Sequence, residues 1–179
     1  RFCRDDTSPT ELEQILQAAT WAPSVGFSQP WEFVLIRDRA TREKIAASFA
    51  DENRKAAPLF ADKKREQYVQ LKLEGILETP LNIAVFYKPS AQPVLGQTTI
   101  SETGEYSVVC AVQNMWLMAR ALNIGIGWVS ILDPSTVKAA PAPDAREIEN
   151  LETVVRDFPS DPAKAREAWK KAADSAKAK

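Results

Sequence analysis

The residues best placed to do chemistry are gathered in one stretch, Ala22-Pro23-Ser24-Val25-Gly26-Phe27-Ser28-Gln29-Pro30-Trp31. Proline fixes φ and glycine opens positive φ, so this backbone is held in one shape. A shaped loop presenting Ser24, backbone N–H groups and Gln29 beside a strand suits a flat ring with polar edges. The chain contains no histidine. That removes Ser-His and Cys-His nucleophile pairs and histidine-based metal sites together. Catalysis must then come from carboxylates, hydroxyls, backbone dipoles or a borrowed cofactor, and the loop favours the cofactor.

The elements around this loop can be read from capping and periodicity. Ser8-Pro9-Thr10-Glu11 starts a helix, with Ser8 as N-cap, Pro9 at the first helical position and Glu11 closing a capping box. Leu12, Ile15, Leu16 and Ala19 then mark one buried stripe, and Pro23 stops the helix. The mostly apolar run 31–37 predicts a strand covered on both faces. Asp38 caps a second helix over about 40–49. A charged stretch from Asp51 to Leu77 follows, interrupted at Pro58, with Tyr68, Leu71, Leu73, Ile76 and Leu77 as its anchors. Lys63, Lys64 and Arg65 read as a solvated helix face.

The run 81–87 predicts a second strand. A loop rich in Pro, Gly, Ser and Thr continues to about Thr103, long enough to be a lid or a cofactor-binding segment. The helix over 105–122 is apolar around most of its circumference, which predicts burial inside a domain or against a subunit. Gln113, the polar residue in that surface, reads as a subunit contact. The run 126–132 predicts a third strand, and Asp133-Pro134-Ser135 opens a short helix. Together these give a layered α/β sandwich. Residues 1–140 form one domain, and 141–179 are a divergent C-terminal extension, partly helical or frayed, with Trp169 as its large anchor.

At 179 residues, 45% hydrophobic and 26% charged, the composition is that of a globular domain with one full core. A formal charge of −1 argues against a general nucleic-acid or anionic-membrane surface. No apolar run approaches a membrane span. Cys3 and Cys110 are too few for a secreted disulfide framework and read as two reduced thiols of a cytoplasmic protein. The sequence opens at Arg1, which suggests that it begins inside a longer protein.

The text Ala-Pro-Ser-Val-Gly-Phe-Ser-Gln-Pro-Trp (22–31), Leu-Lys-Leu-Glu-Gly-Ile (71–76), Glu-Thr-Gly-Glu-Tyr-Ser (102–107), Cys-Ala-Val-Gln-Asn-Met-Trp-Leu (110–117) and Gly-Trp-Val-Ser-Ile-Leu-Asp-Pro (127–134) resembles the nitroreductase superfamily of flavin proteins. Within it, the resemblance is to the 5,6-dimethylbenzimidazole synthase branch known as BluB. It spans about residues 1–138. The Pro-Ser-Val-Gly and Gly-Trp-Val-Ser-Ile pair points to the branch, whereas Gln-Pro-Trp alone indicates only the superfamily.

The resemblance implies an α+β fold, a mixed sheet flanked by helices, assembled as a homodimer with FMN at the subunit interface. It implies that reduced FMN is the substrate, fragmented with O2 to dimethylbenzimidazole, the lower ligand of cobalamin, and erythrose 4-phosphate. A separate flavin reductase would supply the reduced FMN. By the same resemblance, Ser24, Val25, Gly26, Gln29, Pro30 and Trp31 form the loop around the flavin. Gly127, Trp128, Val129 and Ser130 flank the ring, with the Ser130 hydroxyl in the chemistry. Leu95, Gly96, Thr99 and Glu102 belong to the lid that shuts out water.

Read without the resemblance, Trp31 is also a strand-start core aromatic, Ser130 a small strand residue bonded to backbone, and Gly125 with Gly127 a helix end and strand start. The branch carries an Arg-Arg-Asp-Val-Arg segment before the phenylalanine that Phe2 matches, and this sequence opens at Arg1-Phe2 without it. After Ala139 the β-rich run of the branch is replaced by Ala-Pro-Asp-Ala-Arg-Glu-Ile-Glu-Asn-Leu, so the C-terminal course is expected to differ. Two other readings stay open: a conventional NAD(P)H-dependent FMN nitroreductase, and a non-catalytic flavin-binding protein.

Overall fold

The computed structural model describes residues 5–69 and 75–139. Helix α1 (Pro9–Thr20) begins as its sequence dictates. The Ser8 hydroxyl accepts from the Glu11 N–H, and the Glu11 carboxylate accepts from the Ser8 N–H at 2.9 Å. That reciprocal pair satisfies two of the free donors at the helix start. Leu12, Ile15, Leu16 and Ala19 are buried, and the helix ends at Trp21, two residues before Pro23.

Strand β1 (Trp31–Ile36) pairs antiparallel with β2 (Asn82–Tyr87), Trp31 opposite Tyr87 and Ile36 opposite Asn82. Alternation sends Trp31, Phe33 and Leu35 to one face and Val34 and Ile36 to the other. Ile36 packs with Ile45 of α2 (Arg39–Ala56) and Ile76 of α4 (Gly75–Glu78), and Val34 and Ala84 join that cluster. Trp31, Phe33 and Leu35 are also buried. Both faces are therefore covered, as the continuous apolar run requires.

Asp38 caps α2 by accepting from the Thr41 N–H at 2.7 Å. The helix outruns its expected end near Phe49, because the charged residues that follow favour a solvated helix. Arg54 pairs with Asp51 and Lys55 with Glu52, each at 2.6 Å one turn apart. Pro58 ends it in the 3-10 turn Ala57–Leu59. Helix α3 (Asp62–Val69) exposes Lys63, Lys64 and Arg65 to solvent, and Tyr68 stacks on Phe60 with ring centroids 4.5 Å apart. The expected anchors Leu71 and Leu73 lie outside the described residues, as do Cys3 and everything from 140 onward.

Helix α5 (Thr103–Ala121) packs along α1, where Asn114 Nδ2 donates to the Ala18 carbonyl at 3.0 Å. Its burial differs from expectation. Gly104, Ser107, Ala111, Met115 and Ala119 make one buried stripe. Tyr106, Val109, Gln113 and Leu117, on the opposite side, are exposed. The apolar circumference read from the sequence is thus half core and half open surface. Cys110, on the same helix, is half-buried and free.

The class is α+β. Among the described residues the sheet is the antiparallel pair alone, and the run 126–132, expected as a third strand, forms none. A strand needs a neighbouring edge to receive its backbone groups, and no backbone bond joins this run to a described residue. Helix α6 (Pro134–Lys138) follows, capped by Asp133 as expected. Among the described residues, no helix is long and apolar enough to cross a membrane.

Candidate functional site

The loop leaving α1 is a strained, tightly bonded turn. Gly26 has φ 55°, Phe27 φ 53° and Gln29 φ 46°, so left-handed backbone recurs within four residues. For non-glycine residues that conformation costs roughly 1–3 kcal/mol each and persists only where surroundings enforce it. The enforcing bonds are visible. The Phe27 N–H donates to the Ser24 carbonyl at 3.1 Å and the Ser28 N–H to the Val25 carbonyl at 3.0 Å. The Gln29 N–H donates to Ser24 Oγ at 3.0 Å, and Gln29 Nε2 to the Thr20 carbonyl at 3.3 Å. The Val25 N–H donates to Ser107 Oγ on α5 at 3.0 Å. Past Pro30, whose carbonyl accepts from the Lys88 N–H at 2.8 Å, the chain enters β1.

Ser24 and Gln29 therefore build the loop as well as line it. Ser24 Oγ serves the Gln29 amide as acceptor, and no described residue takes its proton. Two further polar atoms of this stretch, Ser28 Oγ and Trp31 Nε1, are buried with no partner among the described residues. An unmade hydrogen bond at a buried donor costs about 1–3 kcal/mol, so these groups point to a polar ligand or a second chain. Ser28 was not singled out from the sequence, since one hydroxyl in a polar loop carries no periodic signal.

The structure brings the expected lid segment to this loop. A Cβ at Gly26 would lie 2.7 Å from the Leu95 carbonyl oxygen and 2.7 Å from Val94 Cγ1, and one at Gly96 would lie 3.4 Å from Val25 Cγ2. Glycine at 26 is thus demanded by the chain's own backbone. Leu95 and Phe27 nevertheless remain 86% and 66% exposed, an apolar rim beside the turn. Farther along, Thr99 and Glu102 are exposed. The Glu102 carboxyl is held below the usual carboxylate range by its own backbone N–H and then by the Ser101 hydroxyl.

Gly127, Trp128, Val129 and Ser130 are anchored elsewhere. Val129 packs on the Ile36–Ile45–Ile76 cluster, toward the Ile36 end of β1, whereas the loop joins the Trp31 end. Gly127 and Ser130 are exposed, Trp128 is 58% exposed, and Ser130 has no hydrogen bond to a described residue. The Asp133 N–H donates to buried Ser48 Oγ at 3.0 Å and closes this segment. Among the described residues, no Cys, Asp and Glu side chains are grouped to hold a metal ion.

Gly104, Ser107, Tyr87 and Gln97 escaped the sequence reading. Gln97 Nε2 donates to the Tyr87 hydroxyl at 2.8 Å and to the Ser101 carbonyl at 2.9 Å. A Cβ at Gly104 would fall 2.6 Å from both Gln97 Nε2 and the Tyr87 hydroxyl. The available signal was a Gly and a Ser three residues apart on a stripe otherwise filled by Ala and Met.

The nitroreductase family profile matches residues 1–151. The chain is 45% identical over 141 residues to a 5,6-dimethylbenzimidazole synthase of Rhodospirillum rubrum, covering 78% of this chain and 67% of that protein. In fold it is similar to oxidized iodotyrosine deiodinase bound to FMN and 3-iodo-L-tyrosine (TM-score 0.58, 21% identity, 89% of this chain and 76% of that one). It is also similar to a BluB-like flavoprotein from Clostridium difficile 630 (TM-score 0.57, 22% identity, 87% and 74%).

Proposed function

This chain belongs to the nitroreductase family, and on that premise we propose that it acts as a 5,6-dimethylbenzimidazole synthase on reduced FMN and O2. The observation that carries the reading is the extended identity to a synthase. The loop geometry supports it, because its partnerless donors fit the acceptor-rich edge of an isoalloxazine ring. Ser24, Ser28, Gln29 and the Trp31 indole N–H would hold that edge, with Val25, Gly26 and Pro30 shaping the loop. Reduced FMN brings both the electrons and the ring atoms that the reaction consumes.

The Ser130 hydroxyl, exposed and bonded to no described residue, is available to hydrogen-bond the N5–C4 edge, a role that needs no strong base. Leu95 and Gly96, seated on the loop, would shut water out, and a dry site protects reactive oxygenated species from side reactions. The working form is a homodimer. The exposed side of α5 offers Tyr106, Val109 and Leu117 as an apolar seam with Gln113 among them, which is the composition of an interface core. A second copy across that seam would complete the site with the Gly127–Ser130 segment. Reduced FMN would come from a separate flavin reductase, in the cytoplasm.

The test is to mix the chain with stoichiometric photoreduced FMN, admit O2, and follow absorbance and products by mass spectrometry. The expected result is loss of the flavin chromophore with appearance of dimethylbenzimidazole. Clean return of oxidised FMN would overturn the synthase reading. Steady NAD(P)H consumption without flavin loss would replace it with a conventional nitroreductase.

A further inference from the structure

The first turn of α5 touches both loops of the site, at two residues one turn apart on its buried stripe. At Gly104 the missing side chain makes room for the Tyr87 hydroxyl and the Gln97 amide, each 2.6 Å from where a Cβ would stand. Through Gln97 this contact fixes the loop carrying Leu95 and Gly96, since Gln97 Nε2 also donates to Ser101 and the Gln97 N–H to the Val94 carbonyl at 3.1 Å. At Ser107, 4% exposed, the hydroxyl accepts from Val25 and donates to the Thr103 carbonyl at 2.7 Å. Through Val25 this second contact fixes the loop 24–29. The loops meet one another where the Leu95 carbonyl approaches Gly26.

We infer that Gly104 and Ser107 are positioning residues: the first turn of α5 sets the lid segment 94–97 against the loop 24–29, and neither loop moves independently of the other. A helix turn is rigid, so two groups held three residues apart keep a constant separation. A hydroxyl serves at 107 because it can accept and donate at once. Bare backbone serves at 104 because any side chain would lift the Tyr87–Gln97 pair. Only the effect on flavin rests on the function proposed above; the coupling of the loops does not.

Amide hydrogen exchange on the full chain tests this, comparing the native sequence with Gly104→Ala, Gln97→Ala and Ser107→Ala. Gln97→Ala changes a partly exposed side chain and keeps the test valid if Gly104→Ala folds poorly. The expected result is crossed loosening. Gly104→Ala and Gln97→Ala speed exchange roughly 10-fold, the equivalent of one lost buried hydrogen bond, at Phe27, Ser28 and Gln29 as well as at Gln97. Ser107→Ala does the same at Gln97 as well as at Val25. Amides in the middle of α5 stay unchanged. Loosening confined to the loop directly touched, or accompanied equally by the middle of α5, overturns the inference.

Flavin affinity, read by quenching of FMN fluorescence, should weaken roughly 10-fold in the same variants. Unchanged affinity despite crossed loosening overturns the role in ligand positioning. If the native chain binds no FMN while the variants still show crossed loosening, the proposed function falls and the coupling stands.

Discussion

Between Thr20 and Trp31 the chain bonds its own loop groups to one another and to α5, and lies against the backbone beside Gly96. Between Gly125 and Asp133 it relies on Val129 and Leu132 packing against an apolar cluster and on one bond from Asp133 to Ser48. Both stretches resemble the family's flavin-loop text, yet one is shaped by the chain's own bonds and the other, among the described residues, is held on one side only. The contrast teaches that a site can be half rigid scaffold and half surface awaiting a neighbour. Under the function proposed here, that neighbour is a second copy docked on the open side of α5.

The strongest way to break this contrast is to remove the neighbour. Replacing Val109 and Leu117 together by Glu buries two unpaired carboxylates in the proposed seam, each costing several kcal/mol. The expected outcome is a monomer by sedimentation, with FMN affinity weaker by on the order of a thousandfold. A dimer that persists would relocate the interface. Next in size is the rigid half. Gly26→Ala forces a Cβ against the Leu95 carbonyl at positive φ, and should destabilise the fold by about 1–3 kcal/mol in urea titration. FMN affinity should fall about 10-fold or more with it.

The open half responds differently. Ser130→Gly should lower dimethylbenzimidazole yield roughly 10-fold or more, the order expected for one hydrogen-bond donor at a reacting centre. Flavin binding should be nearly unchanged, and equal yields in the two proteins would take Ser130 out of the chemistry. The smallest effect lies at the end of that segment. The Asp133 carboxyl sits at about 2, against an ordinary 3.8, because the Ser135 and Thr136 hydroxyls and the Thr136 N–H favour its charged form. A lowered folded value means stability that is present above pH 3.8 and lost as pH falls toward 2. The gap in urea midpoint between the native chain and Asp133→Ala should therefore close across that window, and a gap constant from pH 6 to 2 would refute the capping role.

How far these features could be read from the sequence depends on how local their causes are. Ser8 with Glu11, Asp38 and Asp133 announce helix starts because capping is decided within three residues. The two strands were legible because Trp31–Ile36 and Asn82–Tyr87 are mostly apolar runs, whereas their antiparallel pairing was not. The run 126–132 looks the same by composition, yet strandhood also needs a partner edge, which no periodicity records. Gly26 was legible as a turn, but its reason, the carbonyl of Leu95, lies far along the chain. Gly104 and Ser107 stood within the family-like text 102–107, but their role was hidden for a related cause: their partners, Tyr87, Gln97 and Val25, come from other elements, and only the fold brings them together.

The pinning of Gln97 and Ser101 near α5 leaves the other arm of the same loop uncommitted. Residues 89–93 are exposed throughout, and the side-chain bond there, from the Gln92 N–H to Ser90 Oγ, is internal. Exposed loop tips with few outward bonds accept added chain more readily than anchored backbone. A short peptide inserted between Ser90 and Gln92 would therefore extend from the protein a few residues before Leu95, leaving the contact at Gly26 in place. The loop offers an attachment point for a tag or fluorophore close to the candidate site and outside its bonded frame.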